Sequence, residues 1–148
     1  MERSLLIASV DPSSLRYLVA TVLLVDDDTK FLRPLQILLE ADGYRVLTAQ
    51  DGEEATAVTV MAAPDIVVTD WMMPRVDGVA FCRRLKADAA TADIPVVLLS
   101  AAFPPSPAEQ LWDVFLRKPV PIVRLIDAIA SLLATRHPAL PHPRGVQG

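Results

Sequence analysis

The sequence predicts an α/β fold, a doubly wound parallel sheet with helices on both faces. Three observations predict it. Short apolar runs alternate with longer segments of helical period from Thr21 onward, the alternation of βαβ units. The run Ile66-Val67-Val68-Thr69, bounded by Pro64 and Pro74, lacks the in-and-out pattern of a half-exposed strand and fits one buried on both faces. It ends abruptly in Asp70, and ligands of open parallel sheets bind beyond the carboxyl ends of the strands.

In chain order, residues 1–20 begin with the apolar stretch Leu5-Leu6-Ile7-Ala8-Ser9-Val10 after Arg3, then a turn at Asp11-Pro12 and a short helix capped by Ser13 or Ser14. The stretch is too short for a secretion signal. Asp11, Pro12 and Arg16 break it before Leu18, so no window approaches the roughly 20 apolar residues of a membrane span. A soluble protein is expected. The extension either packs as an extra element on the domain or on a second copy, or frays.

Strands are expected over 22–25, 44–48, 66–69, 95–99 and, more weakly, 114–117. Between the first two, Phe31, Leu35, Leu38 and Leu39 recur at helical spacing, with Gly43 as the stop signal. Pro34 removes a backbone bond and is expected to kink that helix or delay its regular start. Asp51 caps a second helix through about Ala62, and Val79, Cys82 and Leu85 form the apolar side of a third. Ile122, Leu125, Ile126, Ile129, Leu132 and Leu133 make the stripe of the last helix, between Pro121 and Pro138. After His137 the chain is rich in Pro and Gly and reads as a loose tail over 137–148. The domain is therefore 21–136. Right-handed crossovers bring the carboxyl ends of all its strands to one edge.

The totals exclude several classes. A chain of 148 residues, 52% hydrophobic and 22% charged, is about one globular domain. A net charge of -4 without a basic stripe argues against nucleic acid as a partner. The single Cys82 excludes an internal disulfide and a thiolate metal cluster, which fits the cytoplasm; it reads as a small core hydrophobe.

At the sheet edge the first strand ends in Asp26-Asp27-Asp28, opposite Asp70. Crowded carboxylates either raise one pKa or recruit a cation, and an all-oxygen cluster suits Mg²⁺. The fourth strand ends in the hydroxyl of Ser100 and the fifth in Lys118-Pro119. Two carboxylates for a metal, one as nucleophile, a hydroxyl and an ammonium are the parts needed for phosphoryl transfer onto an aspartate. Blander readings exist for each: a lone Asp at a strand end is usually a helix cap, Ser100 a strand-end hydroxyl, Phe115 ordinary core. Asp28 reads as a cap, Asp77-Gly78 as a turn, His137 and His142 as tail residues, and Trp112 as either a partner contact or a gap filler.

In combination, Leu23-Leu24-Val25-Asp26-Asp27-Asp28, Val67-Val68-Thr69-Asp70-Trp71-Met72-Met73-Pro74-Arg75-Val76-Asp77-Gly78, Val97-Leu98-Leu99-Ser100-Ala101 and Phe115-Leu116-Arg117-Lys118-Pro119 resemble the receiver domain of two-component response regulators, in its stand-alone form. The resemblance runs from Thr21 to about Thr135. It implies a flavodoxin-like five-stranded sheet of order 2-1-3-4-5. It implies phosphorylation of Asp70 by a histidine kinase or phosphotransfer protein, with Mg²⁺ held by Asp27, Asp70 and the backbone carbonyl of Met72 and with Asp26 close by. Lys118 would pair with the phosphoryl group, its bond to Pro119 being cis; Ser100 would be the switch hydroxyl and Phe115 the switch aromatic. The stretch between Ser100 and Lys118, with Phe103-Pro104-Pro105-Ser106-Pro107, is shorter than the family's, so a shortened fourth helix is expected there. Met72 and Ala102 stand at positions that influence phosphate lifetime in receivers.

The expected function is a phosphorylation-dependent signalling module, not an enzyme, that acts by contact with an unknown protein target; a homodimer stays open. Two rivals remain: a receiver-shaped scaffold indifferent to phosphorylation, and a small phosphatase using Asp70 as nucleophile. The phosphatase commonly needs an acid two residues beyond the nucleophile, where Met72 stands.

Overall fold

The computed structural model describes residues 19–73, 76–101 and 111–136. Five parallel strands, β1 (Thr21–Val25), β2 (Arg45–Ala49), β3 (Ile66–Asp70), β4 (Val96–Ser100) and β5 (Val114–Arg117), form one sheet of order β2-β1-β3-β4-β5. Among the described residues four helices accompany it: α1 (Thr29–Ala41), α2 (Gly52–Ala62), α3 (Gly78–Ala87) and α4 (Ile122–Arg136).

The unbroken apolar character of the strands reflects burial on both faces. Val22, Leu24, Val68 and Leu99 pack with Leu32, Leu35 and Leu39 of α1 and Leu125, Ile129 and Leu133 of α4. Their neighbours Leu23, Val25, Val67 and Leu98 point the other way, onto Ala55 of α2 and Phe81, Cys82 and Leu85 of α3. Burying each large side chain this way contributes about 1.5–3 kcal/mol. Trp112 is buried in the α2–α3 side of the core, which makes it a packing residue.

Strand bounds fall within one residue of expectation. The β4 ladder begins at Val96, since Pro95 has no N–H to give; the Pro95 carbonyl still accepts from Val67 at 3.0 Å. Tyr44 precedes β2, its ring buried against the α1–α4 side of the core.

Three helical expectations need correction. Leu38 is not on the buried face of α1: it is 42% exposed, and Leu32 takes its place beside Leu35 and Leu39. The apolar arc of the helix is broad, with Leu38 at one margin and Leu32 at the other, so contact with the sheet decides which margin is buried. Of the two effects expected of Pro34, the delayed start does not occur, for α1 runs continuously from Thr29; the missing bond to the Lys30 carbonyl is its cost. On α4 the stripe holds at Leu125, Ile129 and Leu133, whereas Ile122 stands exposed at the first residue.

Helix ends are set by their side chains. Asp28, Asp51 and Asp77 are N-caps, accepting from the backbone N–H groups of Lys30, Glu54 and Ala80 at 3.0, 2.8 and 2.8 Å. Thus Asp77, expected as a turn residue, is the N-cap of α3. At the end of α1, Tyr44 N–H donates to Leu39 O and Gly43 N–H to Glu40 O, with Gly43 at φ 101°. That is a Schellman stop, where a positive φ calls for glycine. No helix among the described residues is long and apolar enough to cross a membrane. The expectations for 1–18, for a shortened helix within 102–110 and for the tail 137–148 lie outside the described residues.

Candidate functional site

Parallel pairing places Val25 beside Ala49 and Thr69, Asp70 beside Leu99, and Ser100 beside Arg117. The strands therefore end level, and the residues just past their ends meet at one edge. Asp26 continues β1: its N–H donates to Ala49 O at 3.1 Å, and its Oδ1 accepts from the Asp28 N–H at 2.9 Å. Asp70 closes β3, after which Trp71 N–H bonds to Leu99 O at 2.9 Å. Lys118 N–H bonds to Ser100 O at 2.8 Å, and the Lys118–Pro119 peptide is cis.

These anchors bring four of the expected side chains together. Lys118 Nζ donates to Asp26 Oδ2 at 2.9 Å and lies 3.3 Å from Asp70 Oδ1. Asp26, Asp27 and Asp70 each bring a carboxylate oxygen within 4.8 Å of the others. Asp26 and Asp70 are 2% and 8% exposed, whereas Asp27 is open to solvent. Ser100 is fully buried on the strand next to Asp70. Met72 lies two residues past Asp70, on the loop before α3, with its side chain exposed. Phe115 is outside the acid cluster. It pairs with Leu98 across β4–β5, half-buried on the α2–α3 side, beside a cavity of about 340 Å³ shared with Arg117, Pro119 and Arg124.

Two contributors were not legible in the sequence as site residues. Gly78 lets α3 close on the strand end: its N–H donates to Trp71 O at 2.8 Å, and a Cβ there would stand 2.2 Å from Asp70 O. The dipeptide Asp77-Gly78 was the signal, and it reads equally as a turn. Phe31, expected as core, puts its ring 4.7 Å from Lys118 Nζ.

Electrostatics at the edge are governed by burial and proximity. Burial raises the Asp70 pKa above the ordinary carboxylate value, the Asp26 charge adds to the rise, and Lys118 opposes it without cancelling it. Burial pulls Lys118 down, but hydrogen bonds and charge from Asp26 and Asp70 outweigh it and hold the ammonium above its ordinary value. Cys82, away from the edge, is pushed up to about 12 by burial and is inert as a thiolate.

The acid cluster fits a metal ion by its donor chemistry. Three carboxylates lie against one ammonium, and all-oxygen donors suit a hard divalent cation.

The family model of the response regulator receiver domain matches residues 22–130. The chain belongs to the response regulator receiver family. Similar proteins include the phosphate regulon transcriptional regulatory protein PhoB of Pseudomonas aeruginosa, 41% identical over 81 residues covering 55% of this chain and 35% of that protein. Response regulator PleD of Caulobacter vibrioides is 40% identical over 117 residues, 76% of this chain and 26% of that one. The chain spans less than half the length of such relatives. Among solved structures, the signal receiver domain of a signal transduction histidine kinase from Syntrophus aciditrophicus superposes with a TM-score of 0.71 at 30% identity, over 79% of this chain and 92% of that one. The receiver fold with order 2-1-3-4-5 is thus shared in sequence and in structure. In this receiver Asp26, Asp27, Asp70 and Lys118 stand at one edge of the sheet.

Proposed function

We propose that this receiver accepts a phosphoryl group on Asp70 from a histidine kinase or phosphotransfer protein in the cytoplasm and signals through protein contact. The observation that carries the reading is the Lys118 ammonium shared between Asp26 and Asp70 within the acid cluster.

An Asp70 carboxylate oxygen attacks the phosphorus of a phosphohistidine. A P–O bond forms as the P–N bond breaks, and the departing ring nitrogen keeps the electron pair and takes a proton from solvent. Lys118, already within reach of Asp70, balances charge on the transferred group; such transfer depends mainly on positioning and electrostatics. Asp26, Asp27 and Asp70, with the Met72 carbonyl, would hold Mg²⁺. When bound, the ion supplies charge neutralisation for the phosphoryl oxygens. Ser100, buried next to Asp70's strand, is the switch hydroxyl, and Phe115, half-buried beside a cavity, is the aromatic that responds to it. Phosphorylation then shifts the balance between two packings of one fold.

Beryllofluoride with Mg²⁺, a phosphoryl mimic, tests this by thermal unfolding. The expected result is a Tm increase of about 5–10 °C at a hundredfold excess over Kd, absent in Asp70→Asn. No shift in the wild-type chain, or an equal shift in Asp70→Asn, would contradict the phosphoacceptor reading and favour a phosphorylation-independent scaffold.

A further inference from the structure

We infer that Phe31 is a positioning residue for Lys118, acting through the face of its ring; this rests on the proposed role of Lys118 at Asp70. The ammonium nitrogen lies 4.7 Å from the ring centroid, inside the range at which a cation is drawn to an aromatic face. A lysine ammonium has three N–H donors and no acceptor. Asp26 and Asp70 stand at 2.9 and 3.3 Å from it, and the Phe31 ring adds an attraction that occupies no carboxylate oxygen.

The ring is placed by the same segment that supplies the acids. Asp28 N–H donates to Asp26 Oδ1 at 2.9 Å, the Asp28 side chain caps α1 through Lys30 N–H at 3.0 Å, and Phe31 N–H donates to Asp28 O at 3.0 Å. Phe31 therefore sits in the first turn of α1, half-buried against the α1–α4 side of the core. The Lys118 side chain is 24% exposed, so the contact is partly desolvated and stronger than one on an open surface.

The consequence lies in what changes on phosphorylation. The Asp70 oxygen facing Lys118 loses its charge when it becomes an acyl phosphate, so one of the two carboxylates holding the lysine weakens during the reaction. The ring does not change. It holds the ammonium in place before and after transfer, leaving its donors for the phosphoryl oxygens.

The test measures the rate of Asp70 phosphorylation by acetyl phosphate with Mg²⁺, read by intact mass, alongside Tm. Phe31→Leu keeps an apolar side chain and removes the ring; the expected rate falls about 3- to 10-fold. Phe31→Tyr restores it to within about twofold. Replacing Phe31 by mono-, di- and trifluorophenylalanine weakens the ring face stepwise at nearly constant shape, and the rate is expected to fall in the same order with Tm unchanged. A rate in Phe31→Leu equal to wild type, or no trend across the fluorinated series, overturns the inference while leaving the phosphoacceptor reading intact. No adduct on the wild-type chain itself overturns both.

Discussion

At the scale of the residue, Asp70 carries a charge that the fold disfavours, because burial and Asp26 act against it more than Lys118 helps. A carboxylate with a raised folded pKa loses stability as pH rises from its ordinary value through the raised one. Asp70→Asn is therefore expected to raise Tm by about 3 °C at pH 7, with the gain fading as pH falls below the ordinary carboxylate range; thermal unfolding from pH 3 to 8 checks it. Lys118 also loses stability as pH rises, but it stabilises the fold at neutral pH. Its pKa is raised by its partners, so its contribution is intact through neutral pH and lost only above the ordinary lysine range. Asp26, Asp27, Asp70 and Lys118 were legible because each comes after an apolar run whose strand end the βαβ rules bring to one edge. The Phe31 contact was not, since the pair Lys118–Asp26 already spans 92 positions and no local pattern distinguishes a ring over an ammonium from a ring in a core.

At the scale of the element, two backbone positions carry measurable costs. A Cβ at Gly78 would meet the Asp70 carbonyl, a backbone atom, at 2.2 Å. Gly78→Ala must displace either the strand end or the start of α3, and it is expected to destabilise by about 2–3 kcal/mol in urea unfolding. Ala63, the C-cap of α2, stands at φ 46° in the left-handed region. Ala63→Gly is expected to stabilise by about 1 kcal/mol, measured the same way; an unchanged midpoint contradicts the strain. Caps at Asp28 and Asp51 and the stop at Gly43 were readable because capping is local chemistry. The rotation of α1 was not. Phe31, Leu32, Leu35, Leu38 and Leu39 share one broad apolar face, and contact with Val22 and Leu24 selects Leu32 over Leu38 at its margins.

At the scale of the whole molecule, one sheet divides two cores, α1 and α4 on one face and α2 and α3 on the other. That division was legible in strands without polar alternation, and it is what sets Asp26, Asp70 and Lys118 level. The place of Trp112 was not, because a tryptophan near an expected short helix serves equally well outside the core or within it; burial in the α2–α3 side decides. On this arrangement rests the proposal that Asp70 is a phosphoacceptor. Its most direct measurement is the intact mass of the chain after incubation with acetyl phosphate and Mg²⁺, with Asp70→Asn and an EDTA-treated sample alongside. The expected result is a single phosphoryl adduct that is lost in both controls. An adduct that persists in Asp70→Asn, or none on the wild-type chain from acetyl phosphate or a phosphorylated kinase, would contradict it.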